Sequence, residues 1–124
     1  MEKKPAILVI DDNPSILQSI NSLLSNEYAV YTIPGVKAEK VLQGFLGKIT
    51  PDLFLLDCYM PGLSGFEIVP VLRNFAGHED TPVIMMSSEK SEAILAQAKE
   101  LGVNDFIVKP VDKDELIEKI QKYT

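Results

Sequence analysis

Residues 6–17 read AILVIDDNPSIL. The run from Ala6 to Ile10 is apolar without a break and stops at the paired acids Asp11 and Asp12. An unbroken apolar run of strand length suits a strand buried on both faces, as in a parallel sheet covered by helices. Asn13 then stands where a helix N-cap belongs, and Pro14 at the first helical position. Ile16, Leu17, Ile20, Leu23 and Leu24 follow at helical spacing. The stretch is a strand, an acidic corner and a helix in immediate succession.

Outward from it the same unit recurs. Leu53–Leu56, Val83–Met86 and Phe106–Val108 are further apolar runs, and Tyr28–Ile33 is a less regular one that suits an exposed edge. Helical patterns lie between them. Val41, Leu42, Phe45, Leu46 and Ile49 form one, weakened by Gly44 and Gly47. Another starts near Ser64 and runs through Ile68, Leu72 and Phe75, with Pro70 inside it, where the missing N–H and the ring clash predict a bend. Ile94, Leu95, Ala98 and Leu101 make a third, stopped by Gly102. The last begins at Asp112, has Glu115 as capping partner, and buries Leu116, Ile117 and Ile120. This alternation predicts an α/β fold, a doubly wound (βα)5 arrangement with a five-stranded parallel sheet, helices on both faces and right-handed crossovers. With 124 residues and no linker, repeat or low-complexity stretch, a single domain over 1–124 is expected.

Composition narrows the function. A hydrophobic share of 46% excludes intrinsic disorder, and no apolar run approaches the ~20 residues of a membrane span. The opening MEKKP leads into a short apolar run without a small-residue cleavage site, so no secretory signal is read. The lone Cys58 has no partner for an internal disulfide, and no CxxC or Cys/His cluster is present to hold zinc; a reducing cytoplasm is the expected compartment. A net charge of −6 repels a phosphate backbone, so this domain is not expected to bind nucleic acid directly.

In open parallel sheets ligands bind at the carboxyl ends of the strands. Those ends carry Asp11-Asp12, Asp57, Ser87-Ser88 and Lys109-Pro110. Three carboxylates on one rim repel one another and raise each other's pKa unless a cation joins them. All-oxygen ligands favour a hard cation, Mg²⁺ before Ca²⁺, with Mn²⁺ the alternative. Lys109 adds a movable positive charge for a phosphate. The set reads as a phosphoryl-transfer site with a carboxylate nucleophile.

Four stretches, ILVIDDNPSI (7–16), DLFLLDCYMPGLSGFE (52–67), TPVIMMSSE (81–89) and GVNDFIVKP (102–110), resemble the receiver domain of two-component response regulators, in this order and βα spacing. The resemblance covers essentially the whole chain and implies a CheY-like, flavodoxin-like fold. It implies that Asp57 is the phosphoacceptor, taking a phosphoryl group from a sensor histidine kinase or a histidine phosphotransfer protein. Asp11, Asp12, Asp57 and the backbone carbonyl of Tyr59 would hold Mg²⁺. Ser87 resembles the switch hydroxyl, Lys109 the phosphate-pairing lysine, Phe106 the aromatic switch and Pro110 the residue after a cis bond. Ser88, Glu89 and Tyr59 stand at the phosphate entrance, where family members vary and tune dephosphorylation. A signalling domain that catalyses only its own phosphorylation and dephosphorylation is implied, working through the face built from the fourth helix, fifth strand and fifth helix. An output domain, an effector protein and a homodimer through Ala93–Tyr123 all stay open.

Two other classes are weighed. A haloacid-dehalogenase-like phosphatase resembles a DxD pattern after the first strand, where this chain reads DDNP. A degenerate receiver that only binds partners is opposed by the complete set Asp11, Asp12, Asp57, Ser87 and Lys109. Of the remaining residues, Cys58 reads as a buried small hydrophobe and His78 as a solvated loop residue. Phe106 is equally compatible with plain core packing. The charges of the last two helices read as a solvated face.

Overall fold

The computed structural model describes residues 3–124; Met1 and Glu2, which open the MEKKP stretch, lie outside the described residues. Strands and helices alternate: β1 (Ala6–Ile10), α1 (Pro14–Leu24), β2 (Ala29–Ile33), α2 (Glu39–Leu46), β3 (Leu53–Asp57), α3 (Gly65–Arg73), β4 (Val83–Ser87), α4 (Glu92–Glu100), β5 (Asp105–Val108) and α5 (Lys113–Tyr123). All pairings are parallel, in the order β2-β1-β3-β4-β5. The expected doubly wound sheet is the observed one.

The strands are apolar on both faces because both faces are covered. Leu8, Ile10, Phe54, Leu56, Val83 and Met85 point to one side, where α2, α3 and α4 supply Leu42, Leu46, Ile68, Leu72, Ile94 and Ala98. Ile7, Val9, Leu53, Leu55, Ile84 and Met86 alternate with them onto the other side, against Ile20 and Leu24 of α1 and Leu116 and Ile120 of α5. At roughly 1.5–3 kcal/mol for each large side chain fully buried, these two layers dominate the folding free energy. The two edge strands, β2 and β5, depart from continuous burial, as the edge position dictates; Tyr31 of β2 is 43% exposed.

Helix ends follow the sequence signals closely. Asn13 caps α1 by accepting from the Ser15 amide at 2.9 Å, with Pro14 first in the helix. Ser64 and Glu67 form a reciprocal capping box on α3, and Asp112 accepts from the Glu115 amide at 2.9 Å. Gly102, at φ +82°, ends α4 in the left-handed conformation. The helix α3 runs unbroken from Gly65 to Arg73 past Pro70, which is exposed, so its ring meets solvent and not the core.

Some expectations are corrected. Val41 is 46% exposed and Ile49 lies past the end of α2, because that helix is only eight residues long and turns just Leu42 and Leu46 inward. Phe75 likewise falls beyond α3, and Ile117 is half-buried. Lys119 is no solvated charge: its ammonium binds Asp105 Oδ1 at 2.7 Å and the Phe106 carbonyl at 3.1 Å, tying β5 to α5. His78 is only 2% exposed. Its ring stacks edge-on against Phe54 at 5.1 Å, and Nδ1 shares a hydrogen bond with Thr81 Oγ1 at 2.9 Å. Arg73 secures the same corner by donating to the carbonyls of His78, Thr81 and Gly102.

Burial holds the His78 pKa below its ordinary 6.5; Arg73 also lowers it, while Glu79 and Asp52 oppose. The stability His78 contributes is therefore complete above its unfolded pKa and is lost as pH falls through the folded one. Between about pH 7.5 and 5 the wild-type melting temperature falls more steeply than that of His78→Gln, as thermal melts at matched pH would record. Parallel curves would contradict the assignment.

Candidate functional site at the carboxyl edge of the sheet

Strand register assembles the site. Ile10 pairs with Leu56, so the next residues, Asp11 and Asp57, emerge side by side at the point where strand order reverses. Asp57 pairs with Met86, placing Ser87 one step further along, and Ser87 pairs with Val108, which puts Lys109 at the same rim. The sequence-predicted acids, hydroxyl and ammonium thus share one edge.

Asp11, Asp12 and Asp57 each turn a carboxylate oxygen inward, and the three atoms lie within 4.8 Å of one another. Asp11 is fully buried, Asp57 is 6% exposed and Asp12 faces solvent. Lys109 Nζ stands 2.8 Å from Asp11 Oδ2 and 3.4 Å from Asp57 Oδ2. The shorter contact is an ion pair out of line for a directed hydrogen bond, so among the described residues the buried Asp11 Oδ2 has no directed donor beyond this ion pair. Asp11 Oδ1 accepts from the Asn13 amide at 2.9 Å. With all three acids ionised, one ammonium leaves two negative charges uncompensated. That deficit, the all-oxygen donor set and the buried oxygen without a donor together fit a divalent hard cation.

The electrostatics agree. Burial pushes the Asp57 pKa from 3.8 to about 6 and the neighbouring Asp11 adds to it, while Lys109 and the Tyr59 amide pull the other way. Burial alone would lower the Lys109 pKa, but the Asp11 and Asp57 carboxylates outweigh it and hold the ammonium above its ordinary value. Cys58, fully buried, has its thiol pushed up to about 12 by burial and by the Asp57 charge, as suits an inert core residue.

Around this centre, Ser87 is buried, and its Oγ accepts from the Glu89 amide at 3.1 Å. Ser88 and Glu89 are exposed beside it, and Tyr59, 53% exposed, rests edge-on against Phe66 at 5.7 Å. The Lys109–Pro110 bond is cis. Phe106 is half-buried against the α2–α3–α4 layer. Two residues the sequence reading passed over belong here, Gly62 and Gly65, which bring the segment after Asp57 close to neighbouring backbone.

Because Asp57 binds its proton more tightly folded than unfolded, its favourable contribution is complete below pH 3.8 and is lost as pH rises through about 6. In EDTA at about pH 7.5, Asp57→Asn is therefore more stable than wild type by about 2 kcal/mol, an advantage that shrinks towards about pH 4. Chemical denaturation at the two pH values measures it.

The geometry has known counterparts. A family profile described as the response regulator receiver domain matches residues 7–121. The chain is 33% identical over 121 residues to hybrid signal transduction histidine kinase D of Dictyostelium discoideum, covering 97% of this chain and 8% of that kinase. It is 30% identical over 119 residues to the DNA-binding dual master transcriptional regulator RpaA of Synechocystis, covering 94% of this chain and 48% of the regulator. It therefore spans less than half the length of each of these two relatives. The chemotaxis protein CheY4 of Vibrio cholerae superposes with a TM-score of 0.90 at 26% identity, covering 98% of this chain and all of that one. The chain belongs to the response regulator receiver family of two-component signalling.

Proposed function

We propose that residues 1–124 act as one receiver domain in which Asp57 takes a phosphoryl group from the phosphohistidine of a sensor kinase or phosphotransfer protein. The observation that carries this reading is the convergence of Asp11, Asp12 and Asp57 on one point beside Lys109. Asp11, Asp12, Asp57 and the backbone carbonyl of Tyr59 are the groups assigned to Mg²⁺. When bound, the ion neutralises the carboxylates and offsets the charge of the incoming phosphoryl group.

The residues then divide the work. Asp57, deprotonated, attacks phosphorus in line; its O–P bond forms as the donor's P–N bond breaks, leaving an acyl phosphate on the protein and imidazole on the donor. Lys109, already suspended between Asp11 and Asp57, moves its ammonium to the new phosphoryl oxygens. The Ser87 hydroxyl turns to the phosphoryl group, and doing so costs Oγ its hydrogen bond from the Glu89 amide. Phosphorylation is thereby coupled to the loop that leads into α4. Phe106, whose carbonyl Lys119 holds from α5, carries the change to β5 and α5. Tyr59, Ser88 and Glu89 at the entrance set how readily water reaches the acyl phosphate. The domain is a switch acting on its own phosphorylation state in a cytoplasmic pathway. Its output is an attached domain, an effector protein or a second copy meeting it across α4, β5 and α5.

Incubation with acetyl phosphate and Mg²⁺ adds one phosphoryl group by intact mass, and the gain disappears in Asp57→Asn and in EDTA. A gain that survives Asp57→Asn would contradict the assignment. Ser87→Ala still gains the group, but amide chemical-shift changes along α4, β5 and α5 on phosphorylation fall by more than about half. Changes as large as in wild type would remove Ser87 from the switch.

A further inference from the structure

We infer that the first turn of α3 is a positioning device for Asp57 and for the Tyr59 carbonyl, seated on the acceptor strand through Gly65. The inference rests on the reading of Asp57 as phosphoacceptor. Gly65 is not among the residues with positive φ, so its backbone does not demand glycine. The demand is for space. A Cβ at position 65 would collide with the carbonyl oxygen of Asp57, and would lie 3.2 Å from the Asp57 carbonyl carbon and 2.7 Å from Met85 Cε.

Those neighbours differ in how they yield. Met85 Cε ends a flexible side chain and can swing away. The Asp57 carbonyl cannot, because β3 lies between β1 and β4 and the next amide, Cys58, donates to Met86 at 2.9 Å. The Gly65 amide itself donates to the Cys58 carbonyl at 2.9 Å, closing the loop 58–65 at its base. At its far side the Leu63 amide donates to Val36 at 2.8 Å, next to Gly62, where φ is +84° and an added Cβ would meet the Val36 oxygen at 2.5 Å. The Ser64–Glu67 capping box, at 3.2 and 3.0 Å, stiffens the helix start that makes the contact. Tyr59 lies within the loop closed at both ends. Gly65 therefore acts through Asp57 and the ligand carbonyl without touching substrate.

The test compares Gly65→Ala and Ser64→Ala with Gly44→Ala, whose Cβ meets nothing within 4 Å. Circular dichroism checks folding, calorimetry measures Mg²⁺ affinity, and intact mass follows phosphorylation by acetyl phosphate at saturating Mg²⁺. Folded Gly65→Ala is expected to bind Mg²⁺ about tenfold more weakly and to react about tenfold more slowly, with Gly44→Ala matching wild type. Adding Met85→Ala to Gly65→Ala should restore neither property. Wild-type affinity and rate in folded Gly65→Ala would overturn the inference, and so would restoration by Met85→Ala. If Gly65→Ala does not fold, Ser64→Ala decides, since it adds no atom: a fall of about threefold in Mg²⁺ affinity supports the seat and an unchanged affinity overturns it. A wild-type chain that gains no phosphoryl group would count against the reading of Asp57, and the Mg²⁺ affinities would still decide the seat.

Discussion

Three carboxylates within 4.8 Å of one another, two of them sharing a single ammonium, form the constraint on which the rest of the molecule depends. Burial first, and the neighbouring Asp11 charge second, make the arrangement costly and push the Asp57 pKa up to about 6. Lys109 relieves part of the repulsion but leaves Asp11 Oδ2 without a directed donor. A packed core alone gains nothing from such an arrangement. It is the kind of local conflict that proteins retain where a bound cation would relieve it.

The fold is what makes the arrangement sustainable. Parallel strands deliver their carboxyl ends to one edge, and the reversal of order between β1 and β3 puts Asp11 beside Asp57 with no helix crossing between them. Beneath them both sheet faces are sealed by apolar layers, so the acids at the rim cannot relax by sinking or by splaying the strands. Two hydrogen bonds tie the same rim to the helices beside it. The Ser87 oxygen holds the Glu89 amide, and Lys119 holds the carbonyl of Phe106, so a charge arriving at Asp57 has short physical routes to α4 and α5.

Much of this was legible in the residues. Continuous apolar runs ending in Asp, Ser and Lys betray buried parallel strands with a polar rim, because both faces are covered and the ends are not. Asn13, Ser64, Gly102 and Asp112 announced helix ends through local chemistry that needs no tertiary context. What escaped depends on contacts across the chain. His78 looks like a loop residue until Phe54 and Phe75 close over it, and Lys119 looks like a solvated charge until Asp105 stands opposite. Val41 fits the helical period but falls on the open side of a short helix. Gly65 carries no local signal, because the reason for it is the carbonyl of a residue in another element.

The most direct test is to titrate the side-chain carboxyl carbon of Asp57 by carbon-13 NMR, first in EDTA and then in saturating Mg²⁺. Repulsion and burial relieved by a cation predict a midpoint near pH 6 without metal and a fall of at least about one unit with it. A midpoint near the ordinary 3.8 that Mg²⁺ leaves in place would contradict the account.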